Sequence, residues 1–233
     1  MNKENFSVKF LGIKLVGDIV PANSRPAVLC LHGAGPASRQ RFEKLRELLA
    51  KKDIASCAFD FIGHGNTGSD LFSSSLENRV KQSLAVIESR ALLQPLSIIA
   101  SSMSGYVAVK LTELCTVKNL IFLAPAIYAS KAYPVHFGQR FTEIIRKPHS
   151  WRDSDAWKIL ESYEGSLLIF AAEKDQIVPD EVGKRIYDSA SNAKSGEMIV
   201  IKNATHPLGK WLDEHPTELR EASSKMLKLL QAP

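Results

Sequence analysis

The segment at residues 96–111 constrains the fold of this chain more than any other. An apolar, β-branched run at residues 96–100 stops in a cluster of small residues and hydroxyls, and a helix-compatible stretch follows at residues 107–111. This pattern predicts a buried strand, a very tight turn and a helix. A serine at the apex of such a turn projects its hydroxyl above the sheet, and the next backbone N–H groups lie at a helix N-terminus. Both features favour nucleophilic attack on a carbonyl carbon.

Three serines compete for the apex of this turn, and the size of their neighbours separates them. The residues two before and two after the apex must be small, because strand and helix nearly touch there. Ser101 has isoleucine and methionine at these positions, and Ser104 has a tyrosine on one side. Ser102 is flanked by Ala100 and Ser104, so these residues replace the glycines of a Gly-x-Ser-x-Gly turn. A serine-rich turn without chemistry is the alternative interpretation.

Strand and helix patterns alternate along the chain. Six runs predict strands that are buried in a sheet, at residues 27–31, 54–59, 96–100, 120–124, 167–171 and 198–201. Helical patterns lie between and after them, at residues 38–52, 76–92, 179–189 and 217–230. Residues 7–10 and 13–19 alternate around Gly12 and predict an antiparallel hairpin. The sequence therefore predicts an α/β fold with a mostly parallel, doubly wound sheet and an antiparallel N-terminal edge hairpin.

Residues from about 126 to 164 interrupt this alternation, because they are aromatic, basic and irregular. We interpret them as a small cap inserted into a single domain that spans residues 1–233. Aromatic side chains of the insertion, at Tyr128, Phe137, Phe141 and Trp151, are candidates for a pocket that binds an acyl or aryl group. Neighbouring basic residues could bind a substrate carboxylate or phosphate. The alternative is that the aromatic residues pack the cap against the domain and the charges are solvated.

Composition and charge exclude several classes of protein. The 233 residues are 45% hydrophobic and 24% charged, as in ordinary globular domains. No apolar stretch approaches the roughly 20 residues that span a bilayer, and the first residues lack the apolar region of a signal peptide. The net charge is +5, but no basic run exceeds a pair such as Lys51-Lys52, which argues against nucleic-acid binding.

The cysteines favour a reducing, cytoplasmic location. Cys30, Cys57 and Cys115 are widely spaced and lie in apolar surroundings, which is typical of free buried thiols. Their spacing fits neither a zinc site nor a redox pair, so we expect no metal and no cofactor.

The ends of the predicted strands carry the remaining candidates for chemistry. Asp175 follows the strand at residues 167–171, and His206 follows the strand at residues 198–201. Active groups cluster at the carboxyl ends of strands in an open parallel sheet. A serine nucleophile needs an adjacent base, and the base needs an orienting acid. Ser102, Asp175 and His206 therefore form a candidate catalytic triad.

The turn after residues 27–31 is rich in small residues, which would let the backbone approach a substrate. The Ala34 N–H could thus join the Met103 N–H in an oxyanion hole. The alternative is a glycine-rich turn without a catalytic role. We interpret His32, at the start of this turn, as a structural hydrogen-bonding residue.

With these positions in place, the chain resembles the α/β-hydrolase superfamily, and in particular its small serine esterases, along nearly its whole length. Five motifs carry the resemblance: HGAG at residues 32–35, DFIGHG at 60–65, SSMSG at 101–105, DQIVP at 175–179 and THPL at 205–208. The resemblance implies that Ser102 is the nucleophile, His206 the base and Asp175 the acid. It also implies backbone oxyanion donors at Ala34 and Met103. The departures are Ala100 and Ser104, and Thr205 in place of a frequent glycine.

The family members that displace halide or open epoxides resemble one another in having an aspartate at this turn. The serine in this chain therefore argues against those activities. We therefore expect a serine hydrolase that cleaves an ester or related acyl bond of a small molecule through an acyl-enzyme intermediate. Cleavage of thioesters, peptides or carbon–carbon bonds by the same triad remains an alternative. A binding protein without catalytic activity is another. The sequence indicates neither the natural substrate nor the oligomeric state.

Overall fold

The computed structural model describes residues 3–232, in which eight strands form one sheet. The strands are β1 (Glu4–Phe10), β2 (Ile13–Val20), β3 (Val28–Leu31), β4 (Ser56–Phe59), β5 (Leu96–Ser101), β6 (Val117–Leu123), β7 (Ser166–Ala172) and β8 (Ser195–Ile201). Their order in the sheet is β1-β2-β4-β3-β5-β6-β7-β8. Strands β1 and β2 pair antiparallel, as do β2 and β4, whereas the other pairs are parallel. The predicted sheet, with its antiparallel hairpin at one edge, is confirmed.

Eight α-helices lie between and after the strands within the described residues. They are α1 (Glu43–Ala50), α2 (Leu76–Ser89), α3 (Ser104–Leu111), α4 (Gln139–Ile145), α5 (Ala156–Glu161), α6 (Asp180–Ser189), α7 (Leu208–Glu214) and α8 (Pro216–Leu230). The helix expected at residues 38–52 is divided into a 3₁₀ helix, Arg39–Phe42, and α1. Helix α7 was not expected, because its seven residues are too few to show a helical period. No helix within residues 3–232 combines the length and the apolar character needed to cross a membrane.

The core has two halves, one on each face of the sheet. Alternate residues of β3 face opposite sides, so Leu29 and Leu31 join one hydrophobic cluster and Val28 and Cys30 join the other. The first cluster packs beneath α2, α3, α5 and α6, and the second beneath α1, α7 and α8. Burial on both faces explains why the central strands are continuous apolar runs.

The chain between β6 and β7 contains α4, α5 and two 3₁₀ helices, Ser130–Ala132 and Ser150–Asp153. Its large side chains join the cluster on the α2 and α3 face of the sheet. Large apolar rings gain most free energy where water is excluded, which explains this packing. The assignment of residues 126–164 as a cap on a single domain stays a prediction.

Candidate active site

Ser102 occupies the apex of the turn between β5 and α3. Its backbone has a φ of +50°, a left-handed conformation that is uncommon for residues other than glycine. The Ser102 N–H donates to the Leu123 carbonyl oxygen at 3.0 Å, and the Ser102 carbonyl oxygen accepts from the Ala126 N–H at 2.9 Å. These bonds to the last residue of β6 and to the chain after it hold the strained turn in place. A strained residue that its surroundings fix in this way is typical of a functional position.

The two residues that replace glycine near Ser102 are accommodated without opening the turn. Ala100 is buried in β5. Ser104 is fully buried at the start of α3, and its hydroxyl donates a hydrogen bond to the carbonyl oxygen of His32. A Cβ atom on the next residue, Gly105, would lie 2.8 Å from the Cβ of Pro125, so glycine is required there. The closest approach of α3 to the chain after β6 is therefore made at Gly105.

The structure brings Ser102, His206 and Asp175 together. Ser102 Oγ lies 2.8 Å from His206 Nε2, and His206 Nδ1 lies 2.8 Å from Asp175 Oδ2. Asp175 Oδ1 accepts from the N–H groups of Ile177 and Val178, both at 2.9 Å. With Asp175 ionised, Nδ1 carries the proton, and Nε2 is free to accept the serine hydroxyl proton.

Electrostatics keep Asp175 ionised. Burial alone would raise its pKa, but the hydrogen bond from His206 and those from the Val178 and Ile177 amides lower the pKa overall. The carboxylate is therefore charged at neutral pH and can orient the His206 ring.

Two backbone N–H groups lie beside Ser102 without protein acceptors. Within residues 3–232, neither the Ala34 N–H nor the Met103 N–H donates a hydrogen bond to the protein. Gly33 packs against the serine, since an added Cβ would lie 2.9 Å from Ser102 Cβ and 3.2 Å from the Ser101 carbonyl oxygen. Only glycine lets the turn after β3 approach this closely. An oxyanion hole formed by these two N–H groups stays a prediction.

A cavity of about 380 Å³ opens onto Ser102, His206 and Ala34. Of the described residues that line it, Arg41 and Lys210 carry formal charges, and no carboxylate joins them. Arg41 donates to the Pro36 carbonyl oxygen at 3.1 Å, and Lys210 Nζ lies 3.8 Å from Glu214, a weak ion pair. The described lining of the cavity therefore contains two cationic side chains and no anionic one.

The four aromatic residues predicted to bind substrate lie outside the lining of this cavity. Phe137, Phe141 and Trp151 are buried, and Tyr128 is half-buried. The ring centres of Phe137 and Phe141 are 4.9 Å apart, and those of Tyr128 and Phe141 are 5.9 Å apart. None of the four lines the cavity at Ser102. Their positions match the alternative in which these rings pack the segment against the core.

His32 and Asp60 hold the loops around the site. His32 is fully buried; its Nε2 accepts from the Phe61 N–H at 3.1 Å, so Nδ1 carries the proton and donates to the Gly33 carbonyl oxygen at 2.8 Å. Asp60 is also fully buried and accepts from the N–H groups of Arg39 and Asn66 at 2.7 and 2.8 Å. The contacts of His32 agree with its interpretation as a structural hydrogen-bonding residue, and those of Asp60 connect two loops near the site.

Sequence reasoning missed three cationic residues near the site: Arg41, Arg79 and Lys210. Lys210 was hidden because its element, α7, is too short for a clear periodic pattern, and Arg41 lies in the helix expected at residues 38–52, where an arginine gives no signal of its own. Arg79 did give a signal, since it falls three residues after Leu76 on the apolar side of a predicted helix. A charged residue on a buried helix face indicates a partner inside the protein.

Known proteins resemble the chain in sequence and fold. The model of a family described as serine aminopeptidase, S33, matches residues 22–153, which is more than half of the chain. No curated protein matches significantly in sequence. Similar solved structures include the ferulic acid complex of Est1E from Butyrivibrio proteoclasticus, with 17% identity, 97% of this chain and 100% of the other covered, and a TM-score of 0.73.

Two further solved structures resemble the chain in fold to a similar degree. The esterase EaEST from Exiguobacterium antarcticum has 20% identity over 95% of this chain and 98% of its own, with a TM-score of 0.72. A predicted CIB-like hydrolase from Thermoplasma acidophilum has 16% identity over 98% of this chain and 100% of its own, also with a TM-score of 0.72. These likenesses confirm the predicted α/β-hydrolase fold. By its family match, the chain belongs to the serine aminopeptidase S33 family of the α/β-hydrolase superfamily.

Proposed function

We propose that this protein hydrolyses carboxylic esters of small molecules, with Ser102 as nucleophile, His206 as base and Asp175 as orienting acid. The observation that carries the proposal is the continuous chain of hydrogen bonds from Ser102 Oγ through His206 to Asp175. Serine is a weak nucleophile, and a base within hydrogen-bond distance is what activates it. Membership of a hydrolase family supports this assignment.

The proposed reaction has two stages. His206 Nε2 takes the proton of the Ser102 hydroxyl as Oγ attacks the acyl carbon, and the N–H groups of Ala34 and Met103 stabilise the oxyanion. When the tetrahedral intermediate collapses, the ester C–O bond breaks and the alcohol leaves with the proton from His206. Water then loses a proton to His206 and attacks the acyl-enzyme, and the acid leaves as Ser102 regains its proton.

The charge of the cavity favours esters over aminopeptidase substrates. An aminopeptidase substrate presents an α-ammonium group, which needs a nearby anionic or carbonyl partner. The described lining of the Ser102 cavity offers Arg41 and Lys210 and no carboxylate. We therefore propose neutral esters and esters that carry a carboxylate or phosphate as the substrate class.

A substrate panel tests this proposal. We expect turnover of p-nitrophenyl acetate and butyrate, and much slower turnover of an acyl-CoA and of an aminoacyl p-nitroanilide. Faster cleavage of the anilide would show a peptidase, and faster cleavage of acyl-CoA a thioesterase. No turnover of any member, with no acyl-enzyme formed, would favour a non-catalytic binding protein.

We also propose a reducing location such as the cytoplasm. All three cysteines are unpaired, and burial raises the pKa of Cys30 and of Cys57 to about 12. Unreactive free thiols of this kind are typical of proteins that are not exposed to oxidising conditions.

A further inference from the structure

Arg79, in the first turns of α2, is a buried cation without an acidic partner. Its side chain has no exposed surface. No carboxylate among the described residues contributes to its electrostatic environment, in which burial is the main influence. Burial lowers the pKa of Arg79 to about 10, so the guanidinium is still protonated at neutral pH. Burying an unpaired charge is costly, and such a residue is retained where it has a specific partner.

The partners of Arg79 are groups next to the candidate active site. Nη1 donates to the Gly33 carbonyl oxygen at 3.2 Å, and Nη2 donates to His64 Nε2 at 3.3 Å. The guanidinium carbon lies 4.6 Å from the ring centre of Phe61 and 5.2 Å from that of Phe137. Buried between two rings, the guanidinium has little freedom to move away from the Gly33 carbonyl.

The Gly33 carbonyl therefore accepts two hydrogen bonds from the protein interior, one from Arg79 and one from His32 Nδ1 at 2.8 Å. This carbonyl and the Ala34 N–H belong to the same trans peptide unit, and in such a unit C=O and N–H point in opposite directions. With the carbonyl held toward the interior, the N–H is directed to the other side. Ala34 is one of the residues that line the cavity at Ser102.

We propose that Arg79 is a positioning residue for the oxyanion hole, which fixes and polarises the Gly33–Ala34 peptide so that the Ala34 N–H faces the Ser102 cavity. The inference rests on the proposed function. A charged donor on the carbonyl withdraws electron density from the peptide and strengthens its N–H as a donor. The positive charge behind the peptide also favours negative charge on the substrate oxygen. Both effects act in the transition state more than on bound substrate.

The test compares Arg79→Met with wild type. Methionine fills much of the same space without a charge or a donor, and removal of an unpaired buried charge spares the fold. We expect kcat for p-nitrophenyl acetate to fall about 10- to 100-fold with KM little changed. Inhibition by phenylboronic acid, which forms a tetrahedral adduct with a serine nucleophile, should weaken by a similar factor. The thermal unfolding midpoint should stay at or above that of wild type.

Arg185→Met is the matched control, because the Arg185 guanidinium also stacks on a ring, 4.6 Å from the centre of Trp157. We expect this control to keep kcat and boronate inhibition within twofold of wild type. If Arg79→Met does not fold, Arg79→Gln is measured against the same criteria. A kcat and boronate affinity within twofold of wild type in the folded variant would overturn the inference. A loss of activity that appears only as a higher KM, with kcat unchanged, would also overturn the inference.

Ser102→Ala, measured in the same assay, distinguishes a failure of the role proposed for Arg79 from a failure of the proposed function. If Ser102→Ala is inactive and Arg79→Met is fully active, the role of Arg79 is wrong and the proposed function stands. If Ser102→Ala is fully active, the proposed function fails, and the role of Arg79 fails with it.

Discussion

Ser102 Oγ lies 2.8 Å from His206 Nε2, although 104 positions separate the two residues in the chain. Ser102 follows β5 and His206 follows β8, and β6 and β7 lie between these strands in the sheet. Asp175 follows β7 and contacts the other nitrogen of the imidazole ring, His206 Nδ1. The contact is therefore a product of sheet order, since parallel strands present their carboxyl ends at one edge.

Asp175→Asn should lower kcat by about 10³- to 10⁴-fold without unfolding the protein. The asparagine amide would favour the wrong tautomer of His206, with the proton on Nε2. Ester turnover and circular dichroism measure the two effects. Glu173→Gln is the matched control, because this carboxylate near Asp175 is exposed and accepts a hydrogen bond from the Asn203 N–H. A loss below tenfold for Asp175→Asn would argue against the assigned role.

Gly33→Ala should lower kcat about 100-fold, because the new Cβ would lie 2.9 Å from Ser102 Cβ and must displace the turn or the serine. Gly183→Ala tests the specificity of this effect. A Cβ atom added at Gly183 would have the flexible end of the Met198 side chain as its nearest neighbour, at 3.1 Å. We expect Gly183→Ala to keep activity within twofold. Equal activities of the two variants would show that the close approach of Gly33 is unimportant.

Ser104→Gly should destabilise the protein even though it restores the glycine of a Gly-x-Ser-x-Gly turn. The change removes the hydrogen bond from the Ser104 hydroxyl to the His32 carbonyl, a loss of about 1 kcal/mol, and glycine lowers helix propensity at the start of α3. Ser104→Ala should show the loss of stability that is due to the hydrogen bond alone, without the lower helix propensity of glycine. Urea unfolding measures both changes, and a more stable Ser104→Gly variant would contradict this account of the turn.

The free energy of unfolding should decrease as the pH is lowered below about 6, because of His32 and His64. Burial, aided by the charge of Arg79, lowers the pKa of His64 to about 4 and that of His32 well below its usual range. Below the unfolded pKa of about 6.5 the unfolded chain binds protons that the native protein does not, so the free energy of unfolding falls. The slope is about 1.4 kcal/mol per pH unit for each histidine.

Urea unfolding at pH 7, 6 and 5 measures this slope. His64→Gln should make it shallower between pH 6 and 5, because one proton-binding difference is removed. The lowered pKa values of Asp18 and Asp175 act mainly below about pH 5, where the carboxylates of the unfolded chain begin to bind protons while the native carboxylates stay ionised. A free energy of unfolding that is the same at pH 7 and 5 would contradict the buried neutral state of both histidines.

The charge of the cavity predicts a preference among esters of similar size. Arg41→Gln combined with Lys210→Gln should raise KM for the p-nitrophenyl monoester of succinate and leave that for p-nitrophenyl butyrate nearly unchanged. Exposed charges are screened, so we expect a change of about three- to tenfold that shrinks at high salt. Equal changes for both esters would show that these side chains do not select substrate charge.

The sequence predicted the elements that have strong local signals. Apolar runs gave the strands, and small neighbours selected Ser102 for the apex, where the structure has the positive φ. The role of Arg79 and the hydroxyl bond from Ser104 to His32 depend on contacts between distant segments, which periodicity does not encode. The positions of Phe137 and Trp151 show the same limit, because an aromatic side chain serves equally well in a core or in a pocket.

The most direct test of the central claim is covalent labelling with a fluorophosphonate, followed by mass spectrometry of the modified peptide. The account predicts one phosphonylated residue, Ser102, with labelling abolished in Ser102→Ala and slowed at least 100-fold in His206→Ala. Stoichiometric labelling of Ser101 or Ser104 instead, or no labelling of a folded protein that hydrolyses esters, would contradict it.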